Sequence, residues 1–209
     1  MADTDNKWDQ LYQGGFKPWD TGRPDSHLIS VVRQKGIRKG RALEVGCGTG
    51  TNAIWLAQEG FAVTAIDVSP TALAQARAKA DAETCDFVLG DFMELPAPVS
   101  PFDFAFDLGC FHVFAEPEQR STFAKQVSNF LAPDGLWLCV AGNSDGGQLG
   151  PPARSALDIV FAVEPCFEIL SLTATRLNLP SAAQLEAMGF PTNIEYRGWS
   201  CLMRKRNDS

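Results

Sequence analysis

The sequence predicts an α/β fold in which a parallel sheet carries helices on both faces. From Arg41 onward, short apolar runs alternate with longer amphipathic segments, the pattern of strands joined by crossover helices. A glycine-rich stretch from Gly46 to Gly50 follows the first apolar run directly, at the point where open α/β sheets bind ligands. Hydrophobic residues make up 45% of the chain and charged residues 21%, which is ordinary for a folded domain.

Length, charge and cysteine spacing argue against several classes of protein. The 209 residues suit one domain spanning 1–209, and a net charge of -7 disfavours a nucleic-acid-binding face. No stretch approaches the ~20 apolar residues that span a bilayer, and the polar N-terminus does not resemble a signal peptide. The six cysteines lack C-x-x-C spacing and the chain has two histidines. We therefore expect a cytoplasmic protein with reduced thiols, no membrane partner and no metal.

Cap and turn residues delimit the elements of the first two-thirds of the chain. Residues 1–23 are rich in glycine, aspartate and aromatic residues and are predicted to be irregular. Asp25 or Ser26 provides an N-cap for the first helix, and Ser69-Pro70 provides a cap and a first-turn proline for the third. In chain order, we predict helix 27–34, strand 42–45, helix 52–59, strand 62–66, helix 71–82, strand 86–89, strand 102–107, helix 116–131 and strand 136–141.

The last third of the chain has a weaker pattern. Residues 143–152 are rich in glycine and proline and are predicted to form an exposed loop. A helix at 155–163, a strand at 167–172, a helix at 182–188 and a final strand at 196–203 are predicted to follow.

The strongest chemical signal is the run from Glu44 to Gly50, which lies between a predicted strand and a predicted helix. Its glycines permit a tight turn and the close approach of a ligand to the backbone. The dinucleotide-binding fingerprint G-x-G-x-x-G fails here, because Thr51 occupies the position of its third glycine. Glu44 would repel a pyrophosphate and suits a ligand with a positively charged end, although it could instead hydrogen-bond the loop backbone.

Two further acidic residues follow the next two predicted strands. Asp67, with Val68 after it, is placed to accept both hydroxyls of a ribose. Asp91 is placed to accept an amino group from adenine while Phe92 packs on its ring. Each acid taken singly could be a helix or turn cap. Three acids after three successive strands indicate a site for an adenosine-containing ligand.

With these residues in these places, the chain resembles the class I S-adenosylmethionine-dependent methyltransferases. The resemblance is clear over 41–141 and looser over 196–204. It implies a Rossmann-like three-layer sandwich with a mostly parallel seven-stranded sheet whose last strand is antiparallel. It also implies S-adenosylmethionine as cofactor and S-adenosylhomocysteine as product. The cofactor-binding residues that it implies, beyond those discussed next, are Glu44, Gly46, Cys47, Gly48, Asn52, Asp67, Val68, Asp91 and Phe92.

The N-terminal run from Pro18 to Pro24 resembles the small-molecule branch of this family, which includes thiopurine S-methyltransferase and the tellurite-resistance methyltransferases. In that branch the segment corresponding to 1–30 folds over the cofactor as a lid. Trp19 is the candidate contact for the sulfonium, because an aromatic face attracts positive charge. The alternative is that Trp19 and Phe16 plug the edge of the core.

The loop after the fourth predicted strand is implied to lie beside the departing methyl group. Asp107 and Gly109 are expected to face the cofactor, and His112 is the candidate general base, with a structural histidine as the alternative. Asp107 is a second catalytic candidate. The side chains expected to face the acceptor are Phe16, Arg23, Phe111, His112 and Phe114.

We predict an enzyme that methylates a small molecule by in-line displacement, which needs no metal. The Asn/Asp-Pro-Pro-aromatic run of nucleic-acid amino methyltransferases is absent after the fourth strand. Three alternatives remain open: a nicotinamide-dependent oxidoreductase, a non-catalytic module that binds S-adenosylmethionine, and a methyltransferase acting on a macromolecule. A monomer and a homodimer are both compatible with the sequence.

Overall fold

The computed structural model describes residues 6–79, 81–145 and 154–207. Most of the predicted loop 143–152 therefore lies outside the described residues. The helices are α1 (Lys7–Gln13), α2 (Ser26–Gln34), α3 (Thr51–Gln58), α4 (Pro70–Arg77), α5 (Pro117–Phe130), α6 (Ala156–Val163) and α7 (Ala182–Ala187). The strands are β1 (Arg41–Val45), β2 (Ala62–Asp67), β3 (Cys85–Leu89), β4 (Phe102–Leu108), β5 (Leu131–Gly142), β6 (Phe167–Arg176) and β7 (Arg197–Lys205).

The strands form one seven-stranded sheet in the order β3-β2-β1-β4-β5-β7-β6. Neighbouring strands from β3 to β5 pair in parallel. The last strand, β7, inserts between β5 and β6 and is antiparallel to both. The predicted Rossmann-like sheet with an antiparallel last strand is thus confirmed.

Alternate residues of the central strands pack on opposite faces of the sheet, as the two-residue period of a strand requires. Phe104 and Phe106 of β4 belong to a core shared with α2, α3 and α4. Ala105 between them belongs to a second core shared with α5 and α6. The sheet is therefore the middle layer of three.

Several predicted boundaries agree with the structure, but β5 begins at Leu131 rather than at 136, β6 extends to Arg176 rather than ending at 172, and two further elements differ. Asp25 caps α2 with its carboxylate, and Ser69 caps α4 ahead of Pro70, as predicted. The prediction of an irregular 1–23 was wrong over Lys7–Gln13, where α1 forms with Asn6 as its N-cap. The helix predicted at 71–82 ends at Arg77 instead. None of the helices in the described part of the chain is long and apolar enough to cross a membrane.

Candidate active site

A cavity of about 1130 Å³ opens at the carboxyl ends of β1 to β4, where open α/β sheets bind their ligands. Its walls come from the glycine loop, the segments after β2, β3 and β4, the N-terminal segment (residues 6–25) and residues 177–179. The structure brings almost all of the predicted cofactor residues to this cavity: Trp19, Glu44, Gly46, Cys47, Gly48, Asn52, Asp67, Val68, Asp91, Phe92 and Gly109.

The glycine loop has a backbone shape that side chains would prevent. Gly46 and Gly48 have φ angles of 66° and 52°, in the left-handed region. A β-carbon on Gly46 would collide with the thiol of Cys110, and one on Gly48 would collide with the hydroxyl of Tyr12. These two glycines therefore allow both the turn and the close packing of its neighbours.

Glu44 lines the cavity, and only one of its two carboxylate oxygens has a hydrogen-bond partner. Its side chain is almost fully buried at 1% exposure. Oε1 accepts a hydrogen bond of 3.2 Å from the Asn52 amide, whereas Oε2 is buried without a hydrogen-bond partner. Burial raises the pKa of Glu44 to about 8. A buried acceptor without a partner normally costs free energy, so the geometry fits a ligand that brings a donor or a positive charge.

Asp67, at the end of β2, ties the glycine loop to the next turn. One of its oxygens accepts the Gly48 N–H at 2.7 Å and the other accepts the Ser69 N–H at 2.8 Å. Burial raises its pKa. A carboxylate has about four acceptor positions, so it can still receive hydroxyl groups from the cavity. Asp91 is exposed, and its Oδ1 accepts the Met93 N–H at 2.9 Å, which is the turn-capping geometry that the sequence left open.

The N-terminal segment is bound to the turn after β2 through residues that the sequence analysis missed. Asn6 donates to the carbonyl of Val68 at 2.6 Å. The Asp9 carboxylate accepts the Ser69 hydroxyl at 2.6 Å and the Thr71 N–H at 2.9 Å. Nothing local in the sequence signals these contacts, because the partners are about 60 residues apart in the chain.

A second set of missed contacts holds the N-terminal segment to the glycine loop. The Thr49 hydroxyl donates to the Asp20 carboxylate at 2.8 Å. Lys79 donates to the hydroxyls of Thr49 and Thr51 at 2.8 and 2.7 Å. The sequence signal that could have indicated these contacts is Asp20, the acidic residue directly after Trp19.

Four aromatic rings gather where the N-terminal segment borders the cavity. Trp19 donates its indole N–H to the Tyr12 hydroxyl at 3.0 Å and packs edge-to-face on Trp8. Tyr12 also lines the cavity and was missed as a site residue. Phe16 does not line the cavity, contrary to its predicted acceptor role. It packs between Trp19 and Phe190 instead.

Asp107 does not reach the cavity, so its predicted roles toward cofactor and chemistry do not match its place. It is fully buried. Oδ1 accepts the backbone N–H groups of Cys110 and Phe111 at 3.2 and 3.1 Å, and Oδ2 accepts the Trp137 indole N–H at 2.9 Å. Burial raises the pKa of Asp107 to about 6. Its contacts shape the loop that follows β4.

Among the side chains predicted to face the methyl acceptor, Phe111 also does not line the cavity. Phe111 is fully buried and packs against Phe123 and Trp137 in the core. Its backbone N–H donates to Asp107, which holds this part of the loop against the core. Phe114 and Arg23 line the cavity as predicted. Three further residues of the wall were missed, in the segment that links β6 to α7: Leu177, Asn178 and Leu179.

His112 lines the cavity, but its geometry argues against a general base. Its Nδ1 accepts the backbone N–H of Gly142 at 2.7 Å. A backbone N–H only donates, so Nδ1 carries no proton and the neutral ring holds its proton on Nε2. Burial and the nearby Arg154 lower the pKa of His112 to about 4. Neither nitrogen is therefore free to take a proton near neutral pH.

Comparisons with known proteins agree with this geometry. A family model described as a methyltransferase domain matches residues 42–135. The chain is 29% identical over 188 residues to a probable thiol methyltransferase 2 of Arabidopsis thaliana, covering 87% of this chain and 82% of that protein. It is 31% identical over 154 residues to thiocyanate methyltransferase 1 of Brassica oleracea, covering 72% of this chain and 67% of that protein.

Solved structures show the same architecture. One, described as "Conversion of a Disulfide Bond into a Thioacetal Group during Echinomycin Biosynthesis", superposes with a TM-score of 0.79 at 25% identity, covering 97% of this chain and 93% of that one. The 1,6-didemethyltoxoflavin-N1-methyltransferase of Burkholderia thailandensis, bound to S-adenosylhomocysteine, superposes with a TM-score of 0.70 at 19% identity, covering 96% and 86%. With the curated relatives and the family model, the chain belongs to the class I S-adenosylmethionine-dependent methyltransferases that act on small molecules.

Proposed function

We propose that this enzyme transfers the methyl group of S-adenosylmethionine to the sulfur of a small thiol or of a similar soft nucleophile such as thiocyanate. The relatives named for thiols and thiocyanate support this acceptor class. The wall of the acceptor end supports it as well, because it combines Phe114 and Leu177 with a histidine that cannot accept a proton. A sulfur nucleophile ionises readily in water and needs no base from the protein.

The observation that carries the cofactor assignment is the unpartnered oxygen of Glu44. We propose that Glu44 faces the ammonium group of the methionine part, which supplies the missing donor and charge. The left-handed turn at Gly46 and Gly48 leaves room for that part beside the backbone. We assign Asp67 to the ribose hydroxyls, and Asp91 with Phe92 to the adenine.

When bound, S-adenosylmethionine supplies a methyl group activated by a positively charged sulfur. The chain's own contribution is position and the exclusion of water. Trp19 offers an aromatic face to positive charge, and the N-terminal segment covers the cavity as a lid through the contacts of Asp9 and Asp20. Holding two reactants in line contributes roughly 7–11 kcal/mol to a displacement of this kind.

We further propose that 1–209 form one methyltransferase domain, with 1–30 as the lid. All seven described strands share one sheet, which supports a single unit. We assign the enzyme to the cytoplasm as a monomer or homodimer, without nucleic-acid or membrane partners. All six cysteines are free thiols, as a reducing compartment favours, and the net charge is -7.

The acceptor class is tested by incubating the purified protein with S-adenosylmethionine and panels of small thiols, thiocyanate, phenols and heterocyclic amines. S-adenosylhomocysteine and the methylated product are quantified by mass spectrometry. We expect thiols and thiocyanate to be methylated with much higher kcat/KM than the other panels. Turnover confined to phenols or amines would contradict the sulfur assignment. Tight S-adenosylhomocysteine binding without turnover on any panel would favour a non-catalytic binding module.

Replacing Asp67 with alanine tests the ribose assignment. We expect Asp67→Ala to weaken S-adenosylhomocysteine binding at least about tenfold, because hydrogen bonds to a charged group each contribute about 1.5–3 kcal/mol. The measurement is calorimetric titration at constant salt and pH. The matched control is Asp86→Ala, which removes an exposed carboxylate from β3. Equal affinity of a folded Asp67→Ala protein and the control would overturn the assignment.

A further inference from the structure

His112 presents one nitrogen to the protein and the other to the cavity. The Gly142 N–H occupies Nδ1 at 2.7 Å, so the ring proton resides on Nε2. Within the part of the chain that the structure describes, no hydrogen-bond partner is found for Nε2, and the side chain lines the cavity. The ring therefore offers an N–H donor with a fixed orientation and no acceptor among the described residues.

The charged groups around His112 favour this neutral state. The buried Arg154 donates to the carbonyls of His112 and Phe114 at 2.9 and 2.7 Å. Arg120, also buried, donates to the Phe114 carbonyl at 3.1 Å, and its ion pair with Asp158 measures 2.8 Å. Two buried guanidinium groups thus contact the backbone of this loop, and Asp158 pairs with one of them. Their positive charge disfavours a protonated ring on His112.

The remaining titratable groups of the loop do not reverse this balance. Both oxygens of Asp107 are occupied by N–H donors. The Cys110 thiol donates to the Val45 carbonyl at 3.2 Å, and burial raises its pKa well above the usual value. Glu44 and Asp67 line the same cavity, and neither is hydrogen-bonded to His112.

We propose that His112 recognises the methyl acceptor through its fixed Nε2–H donor and removes no proton from it. This inference rests on the proposed function and specifies the form of the acceptor. The acceptor enters as an anion that has lost its proton to water, or that never carried one. A lone pair on the acceptor sulfur forms the new bond to the methyl carbon. The bond from that carbon to the sulfonium sulfur breaks, its electron pair stays on that sulfur, and no proton moves to the protein.

The donor state is tested by nuclear magnetic resonance, independently of turnover. Protein labelled with ¹⁵N-histidine and saturated with S-adenosylhomocysteine contains two ring systems, and His27 serves as the internal reference. We expect His112 to show the Nε2–H tautomer from pH 5.5 to 9, and thiocyanate to shift its Nε2 resonance while leaving that of His27 in place. An Nδ1–H tautomer, a titration near pH 6.5, or no response to thiocyanate would overturn the proposal.

Two variants separate the nitrogens kinetically. His112→Asn keeps an acceptor near the position of Nδ1 and loses the distal donor, whereas His112→Gln keeps a donor near the position of Nε2. With small thiols of different acidity as acceptors, we expect His112→Asn to lower kcat/KM at least about tenfold, and His112→Gln to lower it by less. In the wild type, the pH at which kcat/KM reaches its plateau is expected to follow the pKa of each thiol. A single pH midpoint shared by all thiols and lost in His112→Asn would identify a base and overturn the proposal.

The two experiments distinguish a failure of the inference from a failure of the proposed function. If no thiol is methylated, the proposed acceptor class fails, and the thiocyanate titration still decides whether Nε2–H binds an anion. If thiols are methylated but the Nε2 resonance ignores thiocyanate, the acceptor class stands and the role of His112 is refuted.

Discussion

Glu44→Gln is expected to stabilise the empty protein and at the same time to weaken its binding of S-adenosylhomocysteine. The glutamate is buried, and one of its oxygens has no partner, so folding near pH 7 requires its carboxylate to take up a proton, a cost that glutamine avoids. In the complex that we propose, the ionised carboxylate faces the ammonium group of the ligand. Removing one partner of a buried charge pair costs about 3–5 kcal/mol, which corresponds to a loss of affinity of at least about a hundredfold.

The stabilisation expected from Glu44→Gln can be tested by the way in which the free energy of unfolding changes with pH. Burial raises the pKa of Glu44 from 4.5 to about 8. Between about pH 5 and about pH 8 the folded protein holds a proton that the unfolded chain has lost, so the stability from this group falls as pH rises. We expect urea unfolding of the empty wild type to show this fall and Glu44→Gln to lack that part of it. Because Asp107 also titrates in this range, only the difference between variant and wild type is diagnostic.

Proton release on binding provides a direct measurement. At pH 7 the empty protein holds Glu44 largely protonated, and a cationic ligand favours the ionised form. Calorimetric titration in buffers of different ionisation enthalpy is expected to show release of up to about one proton in the wild type and much less in Glu44→Gln. The control is Glu118→Gln, which changes an exposed glutamate of α5. Unchanged affinity and proton release in Glu44→Gln would refute the ammonium contact.

Asp107→Ala is expected to destabilise the protein by about 3 kcal/mol or more, because three N–H donors lose their acceptor and each buried unpaired group costs about 1–3 kcal/mol. Asp107→Asn provides a graded comparison. The side-chain carbonyl of asparagine can still accept the N–H groups of Cys110 and Phe111, which both donate to Oδ1 in the wild type. Its NH₂ group, however, would meet the Trp137 indole N–H, and two donors cannot form a hydrogen bond with each other. We therefore expect an intermediate loss. Equilibrium unfolding in urea, with Asp86→Ala as the exposed control, measures both.

The order of the free energies of unfolding of the wild type, Asp107→Asn and Asp107→Ala distinguishes a structural from a catalytic role. A structural role predicts that alanine is worse than asparagine in the free energy of unfolding. A catalytic role predicts instead that both variants unfold like the wild type and lose turnover. Equal stability of all three proteins would therefore contradict the placement of Asp107 as the residue that shapes the loop.

The parts of the site that the sequence predicted are those carried by contiguous runs at strand ends. The glycine loop follows β1 directly and Asp67 is the last residue of β2, and parallel strands bring their carboxyl ends to one edge. Their place in the cavity follows from the element pattern alone. The side chains after β4 could not be predicted in the same way, because a short 3-10 turn decides which of them points inward. That turn buries Phe111 and leaves His112 at the cavity.

The sequence by itself determined the alternating strands and helices, the glycine loop between Glu44 and Gly50, and the acids that follow the strands. These features depend on local propensity and on a two- or four-residue period, which neighbouring residues express without help from distant ones. The resemblance to a methyltransferase family supplied the antiparallel last strand.

Only the tertiary structure decided how distant segments meet. Asp9 binds the turn after β2 across about 60 residues of chain, and Gly142 occupies a nitrogen of His112 across 30. Such contacts depend on the packing of whole elements, for which a single sequence carries no periodic signal. The Gly142 contact argues against His112 as a base and underlies the donor role that we propose for it, because the protonation state of a side chain is set by the partners that folding places around it.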